Sequence, residues 1–121
     1  MRLTSHRDLL VWQKSLDLVR EIYAATGNLP QAEIYGLVSQ MRRAAVSIPS
    51  NIAEGYRRKN LKEYIQFLYI SYGSSAELET QLLISKDIYP RIDFSKSESV
   101  LNEVQKMLNV VIRKLGDIRR V

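Results

Sequence analysis

The sequence predicts an all-α protein, most simply one antiparallel up-down-up-down four-helix bundle that occupies residues 1–121 as a single domain. Apolar residues return at steps of three and four almost throughout the chain, which is the helical and not the strand period. Only three prolines and five glycines interrupt this pattern. The segments between them are roughly 18 to 27 residues long with short connections, which favours antiparallel neighbours.

The first two predicted helices are separated by the cluster Gly-Asn-Leu-Pro at residues 27–30. The first helix should span about residues 8–25, and the second about residues 31–56. Pro49 lies inside the second helix and has no backbone donor, so we expect a kink or a local opening there. The main apolar stripe of the first helix contains Leu9, Trp12, Leu16, Val19 and Tyr23.

N-terminal capping signals precede the last two predicted helices. Asn60, with Glu63 three residues later, predicts the start of the third helix, which should end before residues 89–90. Ser95 and Glu98 match a capping box, so the fourth helix should start there and run nearly to the C-terminus.

Small residues are concentrated in the middle of the third helix, at positions 71 and 73–76. Small side chains let another helix backbone approach closely. We interpret the run as a tight helix crossing, with a ligand cavity as the alternative.

The first and fourth helices are apolar over arcs of roughly 180° and 200°, whereas a helix facing the core of a lone bundle needs about 100°. We interpret the surplus as a contact with a second copy of the chain. The alternative is a compact monomer in which both helices are deeply buried. The residues predicted to form the interface between copies are Val11, Leu18, Ile22, Leu101, Leu108 and Ile112.

The chain lacks the residues that common catalytic and metal sites require. It has no cysteine, and its one histidine is His6. Disulfides and thiolate metal sites are therefore excluded, and so are a di-iron centre and a histidine-dependent helical ribonuclease. Phosphate-binding glycine loops are also missing. The sequence predicts a protein that is not an enzyme and holds no cofactor or metal.

The distribution of apolar residues along the chain predicts a cytoplasmic protein without a membrane partner. Charged residues interrupt the first apolar positions, so no signal-peptide core is present. No segment approaches the roughly 20 apolar residues that cross a bilayer.

Positive charge is unevenly distributed. The chain carries 18 Lys and Arg against 13 Asp and Glu, a formal charge of +5. An up-down-up-down order places a charge of about +6 at one end of the bundle, which indicates an anionic partner such as nucleic acid. A solvated surface is the alternative. Tyr56 and Tyr64 are candidates for stacking on bases at this end. The residues predicted to bind nucleic acid are Arg57, Arg58, Lys59, Lys62, Arg119 and Arg120.

Three stretches of the sequence, at residues 11–14, 40–55 and 76–82, carry a family resemblance. Together they resemble the four-helix-bundle proteins encoded within intervening sequences of bacterial large-subunit (23S) ribosomal RNA genes. That family is similar in fold to the accessory variability protein of diversity-generating retroelements, a homopentamer that binds nucleic acid and a reverse transcriptase. The resemblance implies a cytoplasmic, non-enzymatic homopentamer with RNA, DNA or a protein such as a reverse transcriptase as partner.

Two functional hypotheses follow from the sequence. The first is a homo-oligomeric protein that binds the phosphate backbone of RNA or DNA. The second is a scaffold for protein–protein interactions that binds no nucleic acid, whose basic residues keep it in solution or contact an acidic protein.

Overall fold

A computed structural model describes the backbone of residues 5–120 and the side chains of residues 5–119. This part of the chain contains four α helices and no strand, so the all-α prediction is confirmed. The helices are α1 (Leu10–Thr26), α2 (Ser39–Tyr56), α3 (Leu61–Ile88) and α4 (Ser95–Arg120). Each helix contacts two others, in the cyclic order α1, α2, α3, α4, so α1 and α3 occupy diagonal corners of the bundle.

Helices α2 and α3 cross closely because small residues line their contact. The Ser71 hydroxyl donates a hydrogen bond to the carbonyl oxygen of Ile48 at 2.9 Å. A Cβ added to Gly55 would lie only 2.6 Å from the Cβ of Phe67. The contacting residue numbers fall along α3 as they rise along α2, so the pair is antiparallel. The run of small residues is therefore a tight helix crossing, except for Gly73 and Ala76, which lie on the exposed side of α3.

Helices α1 and α4 are joined by two ion pairs. The Lys14 ammonium lies 2.8 Å from a carboxylate oxygen of Glu103, and the Lys96 ammonium lies 3.4 Å from one of Glu21. These contacts also run in opposite directions along the two helices. The end of α4 therefore lies at the same end of the bundle as the start of α1.

The six residues predicted to contact a second copy are buried in the core of the single chain, so this prediction is wrong. None is more than 6 % exposed, and a side chain inside its own core has almost no surface left for a partner. These residues are Val11, Leu18, Ile22, Leu101, Leu108 and Ile112.

A buried serine explains why the core face of α1 was predicted wrongly from the sequence. Ser15 is fully buried between Val11 and Leu18, and its hydroxyl donates to the carbonyl oxygen of Trp12 at 2.7 Å. That hydrogen bond offsets the cost of burying the hydroxyl group. The stripe that contains Val11, Ser15 and Leu18 is therefore the core stripe of α1. Tyr23, which the sequence placed on the main apolar stripe, is exposed.

Irregular backbone precedes α2. A 3₁₀ turn at Gln31–Glu33 leads into a single π-helical turn at Ile34–Val38, where Gly36 adopts φ and ψ values of −113° each. The α helix then begins at Ser39 and continues through Pro49, which is buried. The departure from helical geometry thus lies at Gly36, a position that the sequence pattern did not indicate.

The predicted N-terminal signals of α3 and α4 have different outcomes. Asn60 caps α3 as predicted, because its side-chain oxygen accepts from the Glu63 backbone nitrogen at 2.9 Å. The capping box predicted at the start of α4 is wrong, since Ser95 lies inside the helix and its backbone nitrogen donates to Asp93 at 2.9 Å. The Glu98 carboxylate instead pairs with the Lys86 ammonium at 3.1 Å.

Candidate nucleic-acid interface

The connection between α2 and α3 presents three consecutive cations. Helix α2 ends at Tyr56, and the backbone nitrogen of Arg58 donates to the carbonyl oxygen of Gly55 at 3.0 Å, which closes the last turn. Asn60 then starts α3, so only residues 57–60 connect the two helices. All four are exposed. A tight connection between two closely packed helices therefore holds Arg57, Arg58 and Lys59 at the surface.

The Arg58 side chain is held in place by two contacts. Its guanidinium pairs with the Glu54 carboxylate at 2.9 Å and lies 4.7 Å from the centre of the Phe67 ring. The ion pair offsets part of its charge, and the stacked geometry fixes its direction. Sequence reasoning missed this arrangement, although the four-residue spacing of Glu54 and Arg58 at the end of α2 could have indicated the ion pair.

Three further cations at the interface have no such partner. Arg57, Lys59 and Lys62 are exposed, and none forms an ion pair with another residue of the part that the structure describes. Lys62 lies in the first turn of α3, where the partial positive charge of the helix end makes a cation unfavourable for stability. Their positions are therefore better suited to an external anion than to support of the fold.

The last turns of α4 add positive charge at the same end of the bundle. Arg113, Lys114 and Arg119 are exposed on this helix. Cations near a helix C-terminus also stabilise the helix, so their presence has a structural explanation as well as a functional one. The side chain of Arg120, which was also predicted to bind nucleic acid, lies outside the described residues.

The helix order brings these groups to one end. Arg42, near the start of α2, contacts Tyr23 and Thr26 at the end of α1, so the end of α2 lies level with the start of α1. We call this end, with the described cations Arg57, Arg58, Lys59, Lys62, Arg113, Lys114 and Arg119, the basic end.

The two tyrosines near the basic end have different environments. Their rings meet edge to face, with centres 5.8 Å apart. Tyr64 packs against the core, and burial raises the pKa of its hydroxyl group to about 12. Tyr56 is partly exposed. Tyr64 is thus a core residue, which leaves Tyr56 as the one candidate of this pair for stacking on a base.

The described residues contain no group of three or more His, Cys, Asp or Glu side chains placed to hold a metal ion. His6 lies edge to face against Trp12, with ring centres 5.1 Å apart. Among the described helices, none is both long enough and apolar enough to cross a membrane.

These features define a small all-α bundle with a cluster of exposed cations at one end. The sequence matches the model of the 23S rRNA-intervening sequence protein family over residues 7–110, which is most of the chain. The chain therefore belongs to this family, and the resemblance seen in the sequence is confirmed. No curated protein matches it significantly. The similarity to the retroelement protein stays a prediction.

Proposed function

We propose that this protein is a non-enzymatic homo-oligomer that binds RNA or DNA through phosphate contacts at the basic end. The observation that carries the proposal is the set of exposed cations, including Arg57, Lys59 and Lys62, that have no ion-pair partner within residues 5–119. Phosphate groups along a nucleic acid supply closely spaced negative charges that suit such a cluster. Sequence preference should be weak, because phosphate contacts carry no base information.

Cyclic symmetry would strengthen this binding. In a ring of identical subunits, every basic end faces the same side. Five copies, the number that the family resemblance implies, would gather five basic ends on one face and so multiply their positive charge fivefold before screening. The nucleic acid would be captured by the electrostatic attraction of this face and not by a preformed pocket.

The test compares two variants that lose the same charge. Replacing Arg57 and Lys59 by Ala removes two unpaired cations of the basic end, whereas replacing Arg43 and Arg91 by Ala removes two exposed cations elsewhere. Binding to a labelled duplex is measured by fluorescence anisotropy over a range of salt concentrations. Each phosphate contact contributes about 0.9 to the slope of log affinity against log salt on duplex DNA.

We expect the variant of the basic end to bind more weakly and with a flatter slope, and the control variant to resemble the parent. If both variants bind like the parent, or if the parent does not bind at about 50 mM salt, the nucleic-acid proposal fails.

The second candidate is a scaffold that binds another protein. It is favoured by the exposed apolar residues Tyr69, Ile70 and Leu83 of α3, which are each more than half exposed. A parent protein that binds no nucleic acid at low salt would support this candidate over the first.

A further inference from the structure

The outward face of α3 is apolar over two consecutive turns. Every exposed residue between positions 69 and 76 is uncharged: Tyr69, Ile70, Tyr72, Gly73 and Ala76. We call these five residues the ridge. Contiguous apolar patches of this kind mark interaction sites on protein surfaces. Because the core of the bundle does not use this face, the ridge is available to another molecule.

Gly73 has no role in the packing of its own chain. A Cβ added there would meet no atom within 4 Å. Glycine inside a helix is nevertheless less stable than alanine, by roughly 0.5–1 kcal/mol. A glycine at an open position lets the backbone of a second molecule approach α3 closely, which gives the ridge a shallow centre between Tyr69 and Ala76.

A second apolar surface lies on another side of the bundle. The start of α1 and the middle third of α4 enclose a groove of about 510 Å³, with Asp8 and Lys106 at its margins. Leu10 is 70 % exposed there. The apolar residues that line the groove are Leu9, Leu10, Val11, Met107, Val110 and Val111. Since α1 and α3 occupy diagonal corners, the groove and the ridge face in different directions.

We propose that the ridge of one copy of this chain docks into the groove of the next copy. The two surfaces differ in shape but match in chemistry, and a contact between two different patches repeats around a ring, whereas a two-fold contact would pair each patch with itself. The inference rests on the proposed homo-oligomer and gives it an interface, in place of the buried faces that the sequence indicated.

Charges beside the two surfaces are complementary. Glu77 follows the ridge on α3, and Lys106 borders the groove. Both side chains are exposed, and neither forms an ion pair within residues 5–119. Docking of the ridge in the groove brings an unpaired acid and an unpaired base of neighbouring copies together, which favours one orientation of the contact.

The first test uses glycine positions as a matched pair. Gly73→Gln places a polar side chain on the ridge, whereas Gly116→Gln makes the same change at another open position, in α4. Glutamine is the better helix former, so neither variant should lose thermal stability as a monomer. Val110→Gln is the corresponding change in the groove.

Self-association is measured by sedimentation over a concentration series. We expect Gly73→Gln and Val110→Gln each to raise the dissociation constant by about 30-fold or more, the loss expected at the centre of an interface. Gly116→Gln should associate like the parent. If Gly73→Gln and Val110→Gln both associate like the parent, the ridge and groove are not the interface.

A charge reversal tests the orientation. Glu77→Lys and Lys106→Glu should each weaken association, and the double variant should restore it to within a few-fold of the parent. A double variant as weak as the single variants would overturn the proposed pairing.

These results separate the two proposals. An oligomeric parent whose ridge and groove variants stay assembled retains the homo-oligomer but excludes this interface. A parent of 14.0 kDa at every concentration excludes both. The test of nucleic-acid binding compares charge variants that all keep the ridge and the groove, so that comparison does not depend on either result.

Discussion

A single side chain, that of Arg42, forms hydrogen bonds with the end of a neighbouring helix. Arg42 of α2 donates from Nε to the Thr26 hydroxyl at 3.0 Å and from Nη2 to the Tyr23 carbonyl oxygen at 3.3 Å. Its guanidinium also lies 4.4 Å from the centre of the Tyr23 ring. The Tyr23 carbonyl oxygen also accepts from the Gly27 backbone nitrogen at 3.2 Å, so Arg42 adds a second donor to the end of α1 from the neighbouring helix.

Replacing Arg42 by Ala should lower the free energy of unfolding by about 1–2 kcal/mol, because two hydrogen bonds and a cation–π contact are lost together. Arg43→Ala is the control, since Arg43 is exposed and should change stability by less than about 0.5 kcal/mol. Urea unfolding followed by circular dichroism measures both. Equal losses for the two variants would show that the cap contributes nothing beyond charge.

Tyr64 should make the protein less stable at high pH. Burial raises its pKa to about 12, above the usual value of 10.0 that the unfolded chain retains. A group whose pKa is raised in the folded state stabilises the fold below the unfolded value and loses that contribution as the pH rises. The free energy of unfolding contributed by Tyr64 is therefore full below about pH 10 and falls between about pH 10 and 12.

We expect Tyr64→Phe to remove this part of the pH dependence. Tyr35→Phe changes a tyrosine that is 96 % exposed and lies outside the ridge and the groove, so it should leave the parent's curve unchanged. Unfolding midpoints measured from pH 8 to 11.5 give the comparison. Parallel curves for the parent and Tyr64→Phe would contradict the assignment of Tyr64 to the core.

At the scale of elements, the closeness of α2 and α3 determines where the basic turn lies. Gly55 is the last glycine before the turn, and its missing side chain lets Phe67 and Tyr64 pack against the α2 backbone. The same Phe67 ring supports the guanidinium of Arg58. The crossing and the cationic turn are thus parts of one local structure.

Gly55→Ala should destabilise the protein by about 1–3 kcal/mol, since the new methyl group would overlap the side chain of Phe67. Gly116→Ala, at an open helical position, should instead stabilise it by up to about 1 kcal/mol. Thermal or urea unfolding compares the two. A gain in stability from Gly55→Ala would show that the helices are farther apart than described.

The helices were predictable from the sequence, but the faces they bury were only partly so. The 3.6-residue period and the signal at Asn60 locate the elements, because both are local properties. The buried face of α1 depends on Ser15, whose polarity is compensated by a hydrogen bond that the sequence does not show. The core side of α3 was predictable, since Leu68, Leu78 and Leu82 recur at helical steps and are buried. The ridge was not, because hydrophobicity alone does not show that Tyr69, Ile70 and Tyr72 lie on the exposed side.

The position of the basic end was predictable from the sequence, because it follows from the order and direction of the helices. The four-helix order alone brings residues 57–62 and the end of α4 to one end. The contacts of Arg58 with Glu54 and Phe67 depend on side-chain packing between two helices, which the sequence pattern does not determine. The free cations are thus Arg57, Lys59 and Lys62 in this region, a distinction that only the structure provides.

At the scale of the whole molecule, the two proposed surfaces do not compete. The basic end lies at one end of the bundle, whereas the ridge lies along the side of α3, and none of the seven cations of the basic end lines the groove. Assembly through the ridge therefore leaves the cations exposed. A ring would hold several basic ends at fixed separations, so one long nucleic acid could contact several subunits at once.

This arrangement predicts that assembly strengthens binding to long nucleic acids only. Once one subunit holds a strand, binding to the next is intramolecular, and such linkage can raise overall affinity by about 10²–10⁴-fold without any new type of contact. Gly73→Gln, which should disrupt the ring while leaving the basic end intact, should therefore bind a long duplex more weakly than the parent and with a flatter salt slope. On a duplex too short to reach two subunits, the parent and variant should bind alike per subunit.

Fluorescence anisotropy with both duplexes, and with Gly116→Gln as control, measures the difference. Equal weakening on the short and long duplexes would mean that Gly73 affects the binding site itself, and no weakening on either would mean that subunits bind independently of assembly.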